Sequence, residues 1–300
     1  IAAATAVGGV MGPLEKEEGY DEKFSAACNI ATAPVGQLIP PTNAFIVYSA
    51  ASGGAAVATL FMAGWIPGLL WAFLCMIVAF IYGKKHGYVV KREKMTAAVV
   101  GKTILDSIPS LLLIVIIIGG ILSGYFTPTE ASGVAVIYAF ILSVFVYKSI
   151  KLSEIKDILV NAAVTTTIVM LIIGASSVLS FVLSFTGLPQ AISNLMLGVS
   201  DNKIVILLMI NVILLIVGTF MDMAPALLIF TPIFLPVITA IGMDPIQFGV
   251  MMVMNLSIGT ITPPVGSVLF VGCSVAKLKV EDVIGKLIPF FGAIVVALLF

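Results

Sequence analysis

Charge is scarce in this sequence. Lysine, arginine, aspartate and glutamate make up 10% of 300 residues, 15 basic against 15 acidic, where soluble domains carry roughly a quarter. Histidine occurs once, at His86 in a lysine-rich loop, so neither a histidine metal site nor a Ser/His/Asp set can be built around it. The three cysteines, Cys28, Cys75 and Cys273, have no paired spacing and lie in apolar surroundings, which reads as small buried hydrophobes. No glycine loop ending in Gly-Lys-Ser/Thr is present, nor a His-Glu-x-x-His. Energy from ATP would have to come from another chain, and no catalytic residues are expected. An enzyme would need polar pairs that are missing, and nucleic acid is not an expected partner.

Apolar sequence is what the chain has in abundance. Hydrophobic residues make up 60% and the mean hydropathy is +1.20. The fold class that follows is an all-α polytopic membrane protein. The first residue is Ile and no charged leader precedes it, and the far end stops within "AIVVALLF"; a fragment of a longer chain is expected. A span needs about 20 mostly apolar residues. On that measure an apolar segment covers 1–14 and is followed by the charged "EKEEGYDEK", read as a solvated loop. A long segment at 25–52 is interrupted in its middle. Spans are expected at 66–83, 103–124, 130–147 and 162–185, then an amphipathic piece, "LPQAISNLMLGVS". A long stretch at 203–241 carries a polar knot, "GTFMD", and a second interrupted segment runs over 246–275 before a last span from 287.

Basic residues orient these segments, because cytoplasmic loops carry the lysine and arginine excess. With the 84–102 loop inside and 203–241 entering and leaving on one side, 14 of the 15 basic residues fall inside and only Lys203 outside. A single crossing at 203–241 would move Lys277, Lys279 and Lys286 outside. Charge therefore favours a re-entrant hairpin there.

The interruptions are alike. "GQLIPPTN", Gly36 to Asn43, and "GTITPPVG", Gly259 to Gly266, each set a proline pair inside an apolar run. Superposing Pro40–Pro41 on Pro263–Pro264 gives an offset of 223, which also aligns Gly36 with Gly259, Gly19 with Gly242 and Asp21 with Asp244. By the charge count the two copies point in opposite directions. Inverted repeats with broken helices are a mark of secondary transporters.

Each proline pair removes two backbone donors and frees carbonyls of the preceding turn. Non-helical backbone at membrane depth persists only where it lines a cavity or is buried in protein. Freed carbonyls and hydroxyls make a hard oxygen site suited to a cation such as sodium, and the half-helix N-termini beyond suit an anion. The plainer reading of one break alone is a structural kink. Asp222 is the only acid inside 203–241; an intramembrane carboxylate is a functional candidate, and a solvated hairpin tip is the alternative. Asn255 and Ser257 either wall the cavity or bond helix to helix. "YFTPTEA" reads as a helix start with Thr127 as N-cap and Glu130 at the third position. Thr165, Thr166 and Thr167 read as back-bonded within their helix.

Several runs, "GYDEKF", "GQLIPPTNAFIVY", "LFMAGWIPGLL", "GYFTPTEAS", "GTFMDMAPALLIFTPIFLPV" and "FGVMMVMNLSIGTITPPVGSVLFV", closely resemble the large membrane subunit of the tripartite ATP-independent periplasmic (TRAP) transporters. The resemblance covers essentially all 300 residues, in family order. It implies an inverted-repeat elevator-type transporter with re-entrant hairpins and broken helices, in the bacterial inner membrane. It implies sodium as the coupling ion with no further cofactor, a small membrane subunit, fused or separate, and a periplasmic substrate-binding protein that delivers an organic acid. Residues 1–65 and 186–275 would be the two repeats of the transport domain, with 66–185 and 276–300 mainly scaffold. Carried over by motif, Gly36, Ile39 and Pro41 would offer oxygens to one sodium. Gly218, Thr219, Gly259, Thr262 and Pro264 would frame another, and Thr42, Asn43 and Asp222 would border the substrate cavity. The first break reads Pro-Pro-Thr where the family often has Pro-Pro-Ser, which keeps the hydroxyl. "SFVLSFTGLP" lacks an arginine found in some sialic-acid members, which speaks against sialic acid over four-carbon dicarboxylates or other acids. A sodium-coupled anion carrier working alone, or a sodium–proton antiporter of similar fold, is the alternative; neighbouring genes for a binding protein and a small subunit would decide.

Overall fold

The computed structural model describes residues 2–88, 97–200 and 202–299. Among them every regular element is helical. In chain order the helices are α1 (Ala2–Glu17), α2 (Glu22–Thr32), α3 (Asn43–Ala51), α4 (Val57–Lys85), α5 (Ala97–Leu122), α6 (Pro128–Ile141) and α7 (Ile155–Phe185). They continue as α8 (Leu188–Val199), α9 (Lys203–Phe220), α10 (Met223–Ala240), α11 (Pro245–Thr260), α12 (Ser267–Ala276) and α13 (Val280–Leu299). Six helices among the described residues are long and apolar enough to cross a bilayer. The protein is a multi-pass membrane protein.

Two compact units divide the chain, Ile1–Val90 with Ser176–Phe300, and Lys91–Ala175. In the smaller unit α5 and α6 pack as neighbours across a tight turn. Thr127 caps α6: its hydroxyl accepts from the Glu130 N–H at 3.3 Å, and the Glu130 carboxylate accepts from the Thr127 N–H at 2.8 Å. The turn closes on Gly120, where a Cβ would run into the Phe126 ring. A π-helical turn, Leu142–Val146, extends α6 and brings the Tyr147 hydroxyl within 3.1 Å of the Asp106 carbonyl, to which it donates.

The larger unit contains the repeat, and its helices keep the offset of 223. Both α2 and α11 begin behind an aspartate N-cap. Asp21 accepts from Lys23 N–H at 3.0 Å and Asp244 from Ile246 N–H at 2.7 Å. Before each cap stands a glycine with positive φ, +81° at Gly19 and +72° at Gly242, a conformation glycine adopts without steric cost. The matched Gly and Asp of the sequence are thus one device used twice, a left-handed turn followed by a capped helix. It also shortens the charged loop: Glu15 to Glu17 still belong to α1, and Glu22 already starts α2.

Packing follows the same two-fold logic. Helix α1 lies against α2 and α12, and α10 against α11 and α3, so each hairpin arm touches the half-helix of the other repeat. Helices α4 and α13 pack on each other, and both pack on the broken helices: α13 on α2 and α4 on α11. The larger compact unit accordingly takes in α4 and α13 together with the broken helices. Trp71 of α4 is fully buried and donates its indole N–H to the Ala31 carbonyl at 2.9 Å.

One difference between the repeats lies just ahead of the breaks. Helix α11 stays α-helical to Thr260, whereas the first copy tightens into a 3-10 turn at Ala33–Gln37. Pro34 explains it, since it cannot donate to the ladder and it disfavours helical geometry in the residue before it.

Candidate functional site

The two breaks behave as their sequence predicts. After Gln37 the chain leaves the helix, passes Pro40 and Pro41, and restarts at α3 with Thr42 as N-cap, whose hydroxyl accepts from Ala44 N–H at 3.2 Å. The same hydroxyl donates to the Gln37 carbonyl at 3.0 Å, closing the loop on itself. After Thr260 the chain passes Pro263 and Pro264 and restarts at α12 behind Gly266. Both proline–proline peptides are cis. The carbonyls of Ile39 and Pro41 accept no hydrogen bond among the described residues.

Between the first break and the hairpin α9–α10 lies a cavity of about 400 Å³. Gly36, Gln37, Pro41, Thr42 and Asn43 form one wall, Asp222 and Met223 of the hairpin tip another, and Ser267 a third. The three residues expected at the substrate cavity, Thr42, Asn43 and Asp222, are brought together here. Asp222 precedes α10 without a side-chain capping bond and is exposed. Among the described residues it is the only charged side chain of the lining. The N-termini of α3 and α12 both reach this cavity, each bringing the partial positive charge of a helix start.

The residues expected at sodium sites split into two places. Gly36 and Pro41 line the cavity, while the Ile39 side chain turns toward Gly68 of α4. Gly218, Thr219, Gly259, Thr262 and Pro264 stand outside that lining, where the hairpin meets the second break. There Gly218 and Gly259 meet backbone to backbone, and a Cβ on Gly259 would collide with the Gly218 main chain. Gly266 N–H donates to the Thr219 carbonyl at 3.3 Å, tying the break to the hairpin. The Thr262 hydroxyl donates to the Ile258 carbonyl at 2.6 Å, leaving its oxygen lone pairs as acceptors.

Asn255 and Ser257 lie off the cavity. Asn255 is fully buried and its amide N–H₂ donates to the Asn211 carbonyl at 3.0 Å and the Asn211 side-chain oxygen at 2.6 Å, so it joins α11 to α9. Ser257 is also fully buried, and its hydroxyl stands 2.7 Å from the side-chain oxygen of Gln37. Gln37 and Ser267 are the polar residues of the described lining that sequence reasoning passed over. Ser267 was findable, because it opens α12 as Asn43 opens α3; Gln37 carried no local signal, only its place beside the break.

A family model described as the DctM component of the tripartite ATP-independent periplasmic transporters matches residues 1–300. The chain belongs to this family of TRAP permeases. Among its relatives is an uncharacterized protein of Salmonella typhimurium, YgiK, 51% identical over 99% of this chain and 68% of its own length. The isethionate TRAP transporter permease of Oleidesulfovibrio alaskensis is 38% identical over 99% of this chain and 47% of its own length. The sialic acid TRAP large permease SiaM of Vibrio cholerae is 37% identical over 96% of this chain and 69% of its length. The chain thus spans about two thirds of YgiK and SiaM and under half of the isethionate permease. The named relatives are transporter components, not enzymes, which agrees with the absence of catalytic pairs in the sequence.

Proposed function

We propose that this permease carries out the sodium-coupled import of an organic acid by alternating access, in the bacterial inner membrane, with a small membrane subunit and a periplasmic binding protein that delivers the substrate. The observation that carries this reading is the charge of the cavity. Two helix N-termini converge on it, and among the described residues its lining has no basic side chain and one charged side chain, which is acidic. An anion entering such a space needs cations with it, because helix N-termini contribute only about half an elementary charge each. The carbonyls of Ile39 and Pro41, which accept no hydrogen bond among the described residues, and the hydroxyl oxygen of Thr262 with the Gly218–Gly259 junction supply the hard oxygens that sodium prefers. Organic acids are the substrates named for two relatives, isethionate and sialic acid, and both carry an anionic group of the kind this cavity suits.

The moving part comprises both broken helices and their hairpins. Helices α4 and α13, expected with the scaffold, pack on α2 and α11, which argues that they travel with the broken helices. In the intact transporter, Thr262→Ala should raise the sodium concentration for half-maximal uptake severalfold while wild type shows a clear sodium requirement. Uptake indifferent to sodium in wild type, or an unchanged sodium curve in the variant, would count against the coupling and against this site respectively.

A further inference from the structure

We propose that Gln37 is a substrate-binding residue, its amide N–H groups donating to an oxygen of the transported anion, and that Ser257 of the opposite repeat aims it. The inference rests on the reading of the cavity as the substrate site.

Gln37 lines the cavity at the end of the 3-10 turn, one residue after Gly36 and five before Thr42. Its backbone is fixed from two sides. The turn holds it by the Leu38 N–H to Val35 carbonyl bond of 3.0 Å. The Thr42 hydroxyl holds its carbonyl at 3.0 Å. Its side chain is fixed as well, because the Ser257 hydroxyl reaches its amide oxygen at 2.7 Å from a fully buried position. A glutamine amide has one acceptor end and two N–H donors. With the acceptor end held by Ser257, the donor end is left for whatever occupies the cavity.

The Ser257 hydroxyl also stands 2.7 Å from the Val253 carbonyl and has one hydrogen to give. It can donate to Gln37, or donate to Val253 and accept from a rotated amide. An anion in the cavity selects the first state, since that state turns N–H groups toward negative charge. Neutral donors suit a carrier, because they orient a carboxylate or sulfonate without the fixed positive charge that would hinder release. The arrangement also joins the two repeats, since Ser257 lies two residues before Gly259 on α11, the helix that leads into the second break.

The test uses the permease with its small subunit and binding protein in proteoliposomes, under an inward sodium gradient. Radiolabelled succinate, N-acetylneuraminate and isethionate serve as probes, followed with whichever wild type accumulates. Gln37→Glu keeps the oxygen that Ser257 holds and replaces the donors with negative charge; uptake at neutral pH should fall at least tenfold and recover in part at acid pH, where the carboxyl regains a proton to donate. Gln37→Met should raise the apparent KM at least fivefold. Ser257→Ala should raise the apparent KM more than it lowers the maximal rate. Size-exclusion profile and thermal midpoint establish that each variant is folded. Folded Gln37→Glu and Gln37→Met proteins with wild-type KM overturn the proposal, and so does a loss that is equal at both pH values. Failure of wild type to accumulate any probe overturns it together with the functional reading. Sodium-independent uptake by wild type defeats the coupling alone, and the Gln37 variants still decide the amide's role.

Discussion

Tyr48 of α3 breaks the two-fold relation at the level of one side chain. It is fully buried, its ring rests on Gly249, and its hydroxyl donates to the Pro245 carbonyl at 2.6 Å. It wedges α3 against the start of α11. The offset of 223 places Val271 opposite it, and in that repeat a cavity of about 250 Å³ stays open between α1, α2 and α12. Gly249 is what makes room for the ring, since an added Cβ would overlap it. Replacing Gly249 by alanine should therefore destabilise the protein by about 1–3 kcal/mol. Thermal unfolding in detergent checks it, and a midpoint equal to wild type would show that the ring simply shifts. Nothing in the sequence singles out this glycine, because the contact joins residues about two hundred positions apart and single glycines are common in the chain.

At the scale of elements, a polar latch ties the start of α2 to the ends of α4 and α13. The Asp21 carboxylate accepts from the Tyr82 hydroxyl at 2.8 Å and pairs with the Lys286 ammonium at 3.1 Å. Lys23 pairs with Asp282 at 2.7 Å beside it. Burial pushes the Asp21 pKa up, but the hydrogen bonds from Tyr82 and Lys286 outweigh it and hold the group below the usual carboxylate value. A depressed folded-state value means the latch contributes fully above the unfolded pKa of about 3.9 and is lost as pH falls through the folded value. Stability of wild type should fall in acid more steeply than that of Asp21→Asn, measured as thermal midpoint against pH between about 2 and 5. Parallel curves would remove the latch from the account. The elements themselves were legible in sequence, because length, hydropathy and the paired breaks mark nearly every helix. Spans 66–83 and 162–185 grew to Val57–Lys85 and Ile155–Phe185 in the structure; α4 starts earlier because 57–65 is itself apolar, with Leu60 and Phe61 fully buried, and α7 because its first turns carry exposed polar residues. The Thr127 capping box was legible too. Thr167 back-bonds to Ala163 at 2.8 Å as expected, while the Thr165 side chain lies outside the described residues.

At the scale of the whole molecule, the internal repeat is the feature that sequence revealed most fully and chemistry least. Glycine, aspartate and proline at a constant offset announce the two-fold relation, but which faces meet is decided by packing that a single sequence does not display. The cavity shows this: Thr42, Asn43 and Asp222 were found from motifs, whereas Gln37 needed Ser257 from 220 residues away. The orientation read from charge has a direct check. Cysteine at Lys84 or Lys277 should react with impermeant reagent from the cytoplasmic side, and cysteine at Ser200 from the opposite side. The reverse pattern would invert the topology. The basic residues Lys91, Arg92 and Lys94, which weigh in that reading, lie outside the described residues.

The single acidic side chain of the cavity has a consequence for the empty carrier. If the cavity changes sides as proposed, Asp222 carries negative charge through the membrane field on the return journey as well. Each elementary charge crossing the whole field is worth about 2.3 kcal/mol per 100 mV. On that proposal, a negative cell interior would push the vacant cavity outward, and the resting voltage of the cell would itself favour the orientation in which the proposed importer takes up cargo.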